Sequence, residues 1–264
     1  MRTTARVSSS LTPVAERNTV SVLGVPIDTL TWDTAVSRLL LWAERREGRV
    51  VGICNTHSVV TAHDDPLFGA VLQGADMNTA DGAPVAWFMR LSGARGQQRI
   101  NGPDLMWRTC QALDRAGAPS IFLYGNTEDT NRRLEAVLRT RFPDLTIAGS
   151  ISPPFRDLTA EETAQHIAHI NRSGAGIVWV SLGCPKQEVW MAKSRESVHA
   201  VMVGVGAAFD YHAGTIKRAP LWMQRAGLEW VHRLASEPRR LWRRYLYNNT
   251  QFVLRAVQTY VRRR

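Results

Sequence analysis

The 264-residue chain has few cysteines, no glycine-rich phosphate loop and no long apolar run. Its three cysteines, Cys54, Cys110 and Cys184, are scattered and form no CxxC pair, so neither a disulfide framework nor a zinc site is encoded, which fits a reducing cytoplasm. No stretch of about 18 or more apolar residues occurs. Arg2 and Arg6 are followed by a Ser/Thr/Pro stretch where a signal peptide would place its apolar segment. The sequence therefore predicts neither a spanning helix nor a secretory leader. The patterns GxGxxG and GxxxxGK[ST] are missing, which removes the usual dinucleotide and ATP fingerprints. No DxD triplet is present to clamp a metal on a nucleotide-sugar diphosphate, so no metal and no cofactor are expected.

Apolar content is ample at 44%, enough for one sizeable α/β core. Basic charge is also in excess, and its location is informative. The net charge is +10, and Lys217–Arg264, with twelve basic and two acidic residues, carries all of it. A neutral body with a cationic tail points to an anionic surface, a polyphosphate or nucleic acid as partner. No nucleic-acid reader motif accompanies the charge, so nucleic acid is not the expected partner.

Three regions are predicted: a disordered leader over 1–18, an α/β core over 19–216, and a basic amphipathic, membrane-associating appendage over 217–264. Within the core, strand-like runs occur at Val20–Val25, Val50–Cys54, Ser120–Tyr124, Leu145–Ala148, Ile177–Leu182 and Ala200–Val205. Helical faces alternate with them, as in Trp32, Val36, Leu39, Leu40 and Ala43, or Leu134, Val137 and Leu138. This alternation predicts an α/β fold, a mainly parallel, Rossmann-like sheet flanked by helices. Three strand ends run into glycine, at Tyr124–Gly125, Leu182–Gly183 and Val205–Gly206. Parallel sheets bind ligands beyond such ends, so a nucleotide cleft is expected there, although glycine also simply terminates strands.

Four clusters carry candidate chemistry. In Asn78–Trp87, Asp81 stands at a predicted helix entry, either as an N-cap or as a general base for an acceptor hydroxyl. In Arg99–Met106, Asn101 and Asp104 are suited to cap a helix and equally to hydrogen-bond sugar hydroxyls. In Gly183–Trp190, Pro185 opens a helix, and Lys186, Gln187 and Glu188 place a cation, an amide and a carboxylate at one strand end. The fourth cluster runs from Gly204 through Asp210 and Arg218 to Arg233, Arg240 and Arg243.

In order and spacing these clusters resemble the WecG/TagA/CpsF glycosyltransferases, glycosyltransferase family 26. The patterns TADGxPVxW, GxPKQExW and FDxxAGxxxRAPxW occur together, and the likeness covers roughly residues 20–247. The resemblance implies inverting transfer of a sugar from a UDP donor to an undecaprenyl-diphosphate-linked sugar. N-acetylmannosamine, its uronic acid and glucose are the donor sugars it leaves open. It implies a catalytic base at Asp81, a substrate pocket at Gln187, and at Arg233, Arg240 and Arg243 the arginines of an appendage that closes over the site at the membrane. Substrate contacts are also expected near Asn55, His57 and Arg99, with UDP at Tyr124–Gly125, Gly183–Glu188 and Gly206–Asp210. Ile53 departs from the family, many members of which carry Thr there.

The tail supports an appendage independently. Trp242, Tyr245, Leu246, Phe252, Val253, Ala256, Val257 and Tyr260 recur at helical spacing among arginines, a pattern suited either to an anionic lipid interface or to packing on the body. A non-catalytic scaffold in a polysaccharide assembly complex is the remaining alternative, but it gives no reason for Asp81. Oligomeric state is left open, with a homo-oligomer allowed.

Overall fold

The computed structural model describes residues 17–262, so the leader expected over 1–18 lies almost wholly outside the described residues. Arg17 already belongs to the fold. Its guanidinium donates to both carboxylate oxygens of buried Asp28 at 3.0 Å and to the Ala75 carbonyl at 2.7 Å.

The chain opens with an antiparallel hairpin, β1 (Thr19–Val22) and β2 (Val25–Asp28), where one strand over Val20–Val25 was expected. The interruption is local: Leu23 and Gly24 both take positive φ and form the turn. Next come α1 (Trp32–Arg45), β3 (Val50–Cys54), α2 (Thr56–Asp64), α3 (Pro66–Gln73), β4 (Met77–Ala80), α4 (Ala83–Leu91) and α5 (Gly102–Ala116). Then follow β5 (Ile121–Gly125), α6 (Glu128–Arg141), β6 (Ile147–Ile151), α7 (Ala160–Arg172), β7 (Ile177–Ser181), α8 (Lys186–Ser194), β8 (Val201–Gly204) and α9 (Ala208–Ala213). Three helices close the described chain: α10 (Leu221–Arg225), α11 (Glu229–Ser236) and α12 (Pro238–Arg262).

Six strands form one all-parallel sheet in the order β4-β3-β8-β7-β5-β6, as the alternation of strand and helix predicted. A parallel sheet is covered on both faces, so its central strands are buried throughout. The residues of β7 alternate between two cores. Ile177 and Trp179 join the α1 and α5 side with Leu39 and Leu105, while Val178 and Val180 join Tyr124, Ile170 and Met191.

Two strand predictions need correction. β6 begins at Ile147, because Leu145 is spent as a buried plug in the preceding turn. β4 was not predicted at all, since Met-Asn-Thr-Ala is half polar and too short to show periodicity. Tertiary hydrogen bonds make that polarity tolerable. Asn78 Nδ2 donates to the carbonyls of Pro26 and Leu72 at 3.0 and 2.7 Å, and Thr79 Oγ1 donates to the Ile100 carbonyl at 2.9 Å. Gly52 on β3 makes room for Asn78, whose Oδ1 would sit 2.3 Å from a Cβ there.

The C-terminal helix α12 packs on α2. Thr56 Oγ1 donates to Asn249 Oδ1 at 3.1 Å, Tyr247 Oη donates to Asp64 at 3.0 Å, and Phe252 is buried edge-on to Phe88 at 6.4 Å. Its apolar residues divide between two faces. Leu241, Phe252 and Ala256 pack inward, while Trp242, Leu246, Val253 and Val257 remain exposed. No helix among the described residues is long and apolar enough to cross a membrane.

Candidate functional site

The strands β3, β4, β5, β7 and β8 all point their carboxyl ends at one cavity of about 650 Å³. Each is followed there by a lining residue: Asn55, Asp81, Asn126, Leu182 and Val205. All six strands run parallel, so these ends lie along one edge of the sheet, the edge at which open parallel sheets bind ligands.

Asp81 is the first residue beyond β4. Its N–H donates to the Cys54 carbonyl at 2.8 Å, one further rung of the β3–β4 ladder, so the sheet itself fixes its backbone. It caps no helix: α4 starts one residue later from Gly82, whose φ of 87° no ordinary side chain favours, and no side chain caps it. The carboxylate, 21% exposed, faces the cavity. It accepts from the Gly82 N–H, and the nearest cation, Arg99, stands 3.6 Å away, beyond hydrogen-bonding reach. Burial raises its pKa above the ordinary aspartate value, Arg99 opposes that rise, and the Glu229 charge adds to it.

A chain of charges holds Arg99. Its NH2 donates to Glu229 Oε2 at 2.5 Å, Glu229 Oε1 accepts from Arg218 Nε at 3.2 Å, and Arg218 pairs with both oxygens of Asp104. Asp104 is in turn bound by Asn101 Nδ2 at 2.7 Å, and Asn101 caps α5 by accepting from the Asp104 N–H at 2.9 Å. Asn101 therefore performs the capping expected of it while also lining the cavity. Asp104 and Arg218 stand behind the cavity wall, where they position Arg99 through Glu229.

Near the other end, Asn55 caps α2 through His57 N and Ser58 N at 3.0 and 3.2 Å. His57 lies beside it, its pKa lowered to about 4 by burial and the Arg244 charge, and is neutral at pH 7. On α8, Gln187 and Glu188 are buried and line the cavity. Gln187 Nε2 donates to Glu188 Oε1 at 2.8 Å, whereas Gln187 Oε1 and Glu188 Oε2 are buried without partners. Desolvation pushes the Glu188 carboxyl up to about 7. Gly204 gives Gln187 its space, because a Cβ there would lie 3.0 Å from its Nε2. Gly183 and Gly206 also border the cavity, as does Asp210, which accepts from Asn126 Nδ2 at 3.1 Å.

Several residues expected at the site lie elsewhere. Tyr124 points into the opposite core, stacked on Trp190 at 4.2 Å with its hydroxyl 3.2 Å from His166 Nδ1. Gly125 serves packing: a Cβ there would come within 2.3 Å of the Ser181 carbonyl oxygen. Pro185 opens α8 on the exposed side, and Lys186 reaches out to the Arg156 carbonyl at 3.2 Å. From the appendage, Arg233 and Arg240 line the cavity, but Arg243 turns outward over the Trp242 ring and Arg244 takes the inward position.

Other lining residues were not singled out from sequence, among them Phe155, Tyr211, Tyr245 and Arg244. Phe155, at 89% exposure, sits at the cavity mouth after two prolines and carries no local signal of that role. Arg244 follows from helix geometry once the structure shows Leu241 and Phe252 facing inward: Arg243 falls about 200° around the helix from Leu241, and Arg244 only about 60° from it.

Comparison with known families gives one finding. The model of the Glycosyl transferase WecG/TagA/CpsF family matches residues 20–264.

Glu188 supplies a stability test. In the folded protein its carboxyl keeps a proton to about pH 7, whereas the unfolded chain loses it near the ordinary glutamate value of 4.5. The associated stability is therefore complete below about 4.5 and is lost as pH rises through about 7. Glu188→Gln, which keeps the shape and accepts from Gln187 through its own carbonyl, should stabilise the fold at pH 8.5 by on the order of 3 kcal/mol and so raise Tm. The gain should close by pH 4.5. Thermal melts across that range check this, and a difference independent of pH contradicts it.

Proposed function

The chain belongs to the WecG/TagA/CpsF family of glycosyl transferases, which act in cell-surface polymer synthesis, and from that premise we propose an inverting transfer. A sugar passes from a UDP donor to a polyprenyl-diphosphate-linked sugar at the cytoplasmic face of the bacterial inner membrane. The observation that carries this reading is Asp81: a recessed carboxylate, aimed into the cavity and bound by no side-chain donor among the described residues. A volume of about 650 Å³ suits a nucleotide sugar.

In this reading the acceptor hydroxyl gives its proton to Asp81 as its oxygen attacks the anomeric carbon from the face opposite UDP. The bond from that carbon to the β-phosphate oxygen breaks, and the electron pair leaves with UDP. A raised pKa makes Asp81 a stronger base than an exposed aspartate, and Arg99 keeps enough ionised form available. Arg233 and Arg240 offset the charge on the departing diphosphate. Phe155 offers a face for the uracil ring at the mouth, beside Asn126 and Asp210, which are placed to bind ribose hydroxyls.

The exposed stripe of α12, with Trp242, Arg243, Leu246 and Val257, combines apolar groups with a cation, and Leu221 and Trp222 on α10 are exposed as well. That combination suits an anionic bilayer surface, where the lipid-linked acceptor resides. Arg243 then meets headgroups while Arg240 meets substrate.

Three outcomes are expected. Asp81→Asn should lower the transfer rate by about 10²–10⁴-fold with UDP affinity unchanged, as read by UDP release across a panel of UDP-sugars with a prenyl-diphosphate-sugar acceptor. A rate within a few-fold of wild type removes Asp81 as the base. Because the sequence has no DxD triplet and arginines face the cavity, a chelator should leave the initial rate of metal-stripped protein unchanged. Loss restored by magnesium or manganese contradicts a metal-independent reaction. Leu246→Glu with Val257→Glu should release the protein from anionic vesicles in a sedimentation assay while leaving its melting curve intact, and undiminished binding removes α12 from the membrane contact.

A further inference from the structure

Five arginines border or back the cavity, and four of them have a carboxylate. Arg99 and Arg218 share Glu229, and Arg233 and Arg240 lie 3.7 and 2.8 Å from Glu237. Arg244 has none: no ion pair and no side-chain hydrogen bond reaches its guanidinium among the described residues, and its Nε is buried without a partner. Its electrostatic neighbours make matters worse. Arg233 and Arg240 repel it, and Cys184 and Tyr245 are a thiol and a phenol whose own ionisation burial disfavours. Glu188, the carboxyl close enough to feel its charge, is itself pushed up to about 7. His57 beside it is neutral.

A guanidinium partly withdrawn from water and left without a counter-ion is unfavourable, and its position calls for a partner. The terminal nitrogens of Arg244 are not enclosed by protein as its Nε is, and the residue lines the cavity. The helix backbone holds the position firmly, since Asn248 Nδ2 donates to the Arg244 carbonyl at 2.7 Å while Leu241 and Phe252 are buried on the same side.

We propose that Arg244 is a substrate-binding residue whose counter-ion is a phosphate oxygen of a diphosphate substrate. The inference rests on the diphosphate chemistry of the proposed reaction, in which the donor and the acceptor each bring one such group. Arg243, its neighbour in sequence, has no part in this contact because it faces outward. The free protein therefore carries an electrostatic defect that ligand binding repairs.

Arg244→Met keeps the apolar stem and removes the charge. Without ligand, its Tm should equal or exceed that of wild type, because a partly buried cation without a counter-ion has gone. With ligand it should lose about 10- to 100-fold in affinity, the range of one charge-assisted hydrogen-bonding contact. Two arms locate the phosphate. Calorimetry with UDP reads the donor side, and KM for a short-chain prenyl-diphosphate-sugar at saturating donor reads the acceptor side. A loss in either arm supports the assignment and identifies the source. Arg141→Ala, which removes an equal charge from the exposed end of α6, should change neither arm. If Arg244→Met leaves both arms within two-fold of wild type, or lowers Tm without touching either, the assignment fails. Wild-type protein that binds neither UDP nor the acceptor instead overturns the diphosphate reaction on which the assignment rests.

Discussion

The site depends on one partly buried chain of charge, Asp104–Arg218–Glu229–Arg99, that ends beside Asp81. Its members come from α5, the segment before α10, α11 and the segment before α5, so it ties the C-terminal helices to the carboxyl ends of the sheet. Removing one partner strands the other charge in a partly dehydrated site, which is destabilising. The chain also sets how Asp81 is treated. Glu229 binds Arg99 directly and keeps it 3.6 Å from Asp81, close enough to favour the anion and too far to occupy its oxygens. A carboxylate in direct contact with Arg99 would have its lone pairs engaged and would be a poorer proton acceptor.

The cavity lining is not fully paired within the protein. Around the cavity the protein leaves polar atoms unsatisfied: Gln187 Oε1, Glu188 Oε2, and the Nε atoms of Arg99, Arg233 and Arg244. Buried polar groups are ordinarily paired, so this many in one cavity marks a surface shaped for a polar ligand. The cavity thus holds a base at fixed distance from its cation and keeps hydrogen-bonding capacity for whatever enters. The helix α12 serves two environments, with Leu241, Arg244 and Phe252 turned to the body and Trp242, Arg243 and Leu246 turned out.

Much of this was legible in the chain. The apolar runs of β3, β5, β7 and β8 declared a parallel sheet because strands covered on both faces need apolar residues at every position. Glycines after β7 and β8 located the cavity. β4 was hidden because its polar side chains are satisfied by groups from Pro26, Leu72 and Ile100, far away in sequence. Tyr124 was misplaced because side chains alternate along a strand, and the chain alone does not say which face looks toward the ligand.

The sequence by itself determined the family, the sheet, the candidate base and a cationic tail, since these follow from residue types, spacing and charge count along one dimension. The tertiary structure alone decided which charges meet. Whether Asp81 caps a helix or faces a cavity turned on where the β3–β4 ladder ends. Whether Arg243 or Arg244 enters the site turned on which side of α12 lies against the body. Electrostatic interaction depends on distance and burial, and both are set only when segments far apart in sequence are brought together.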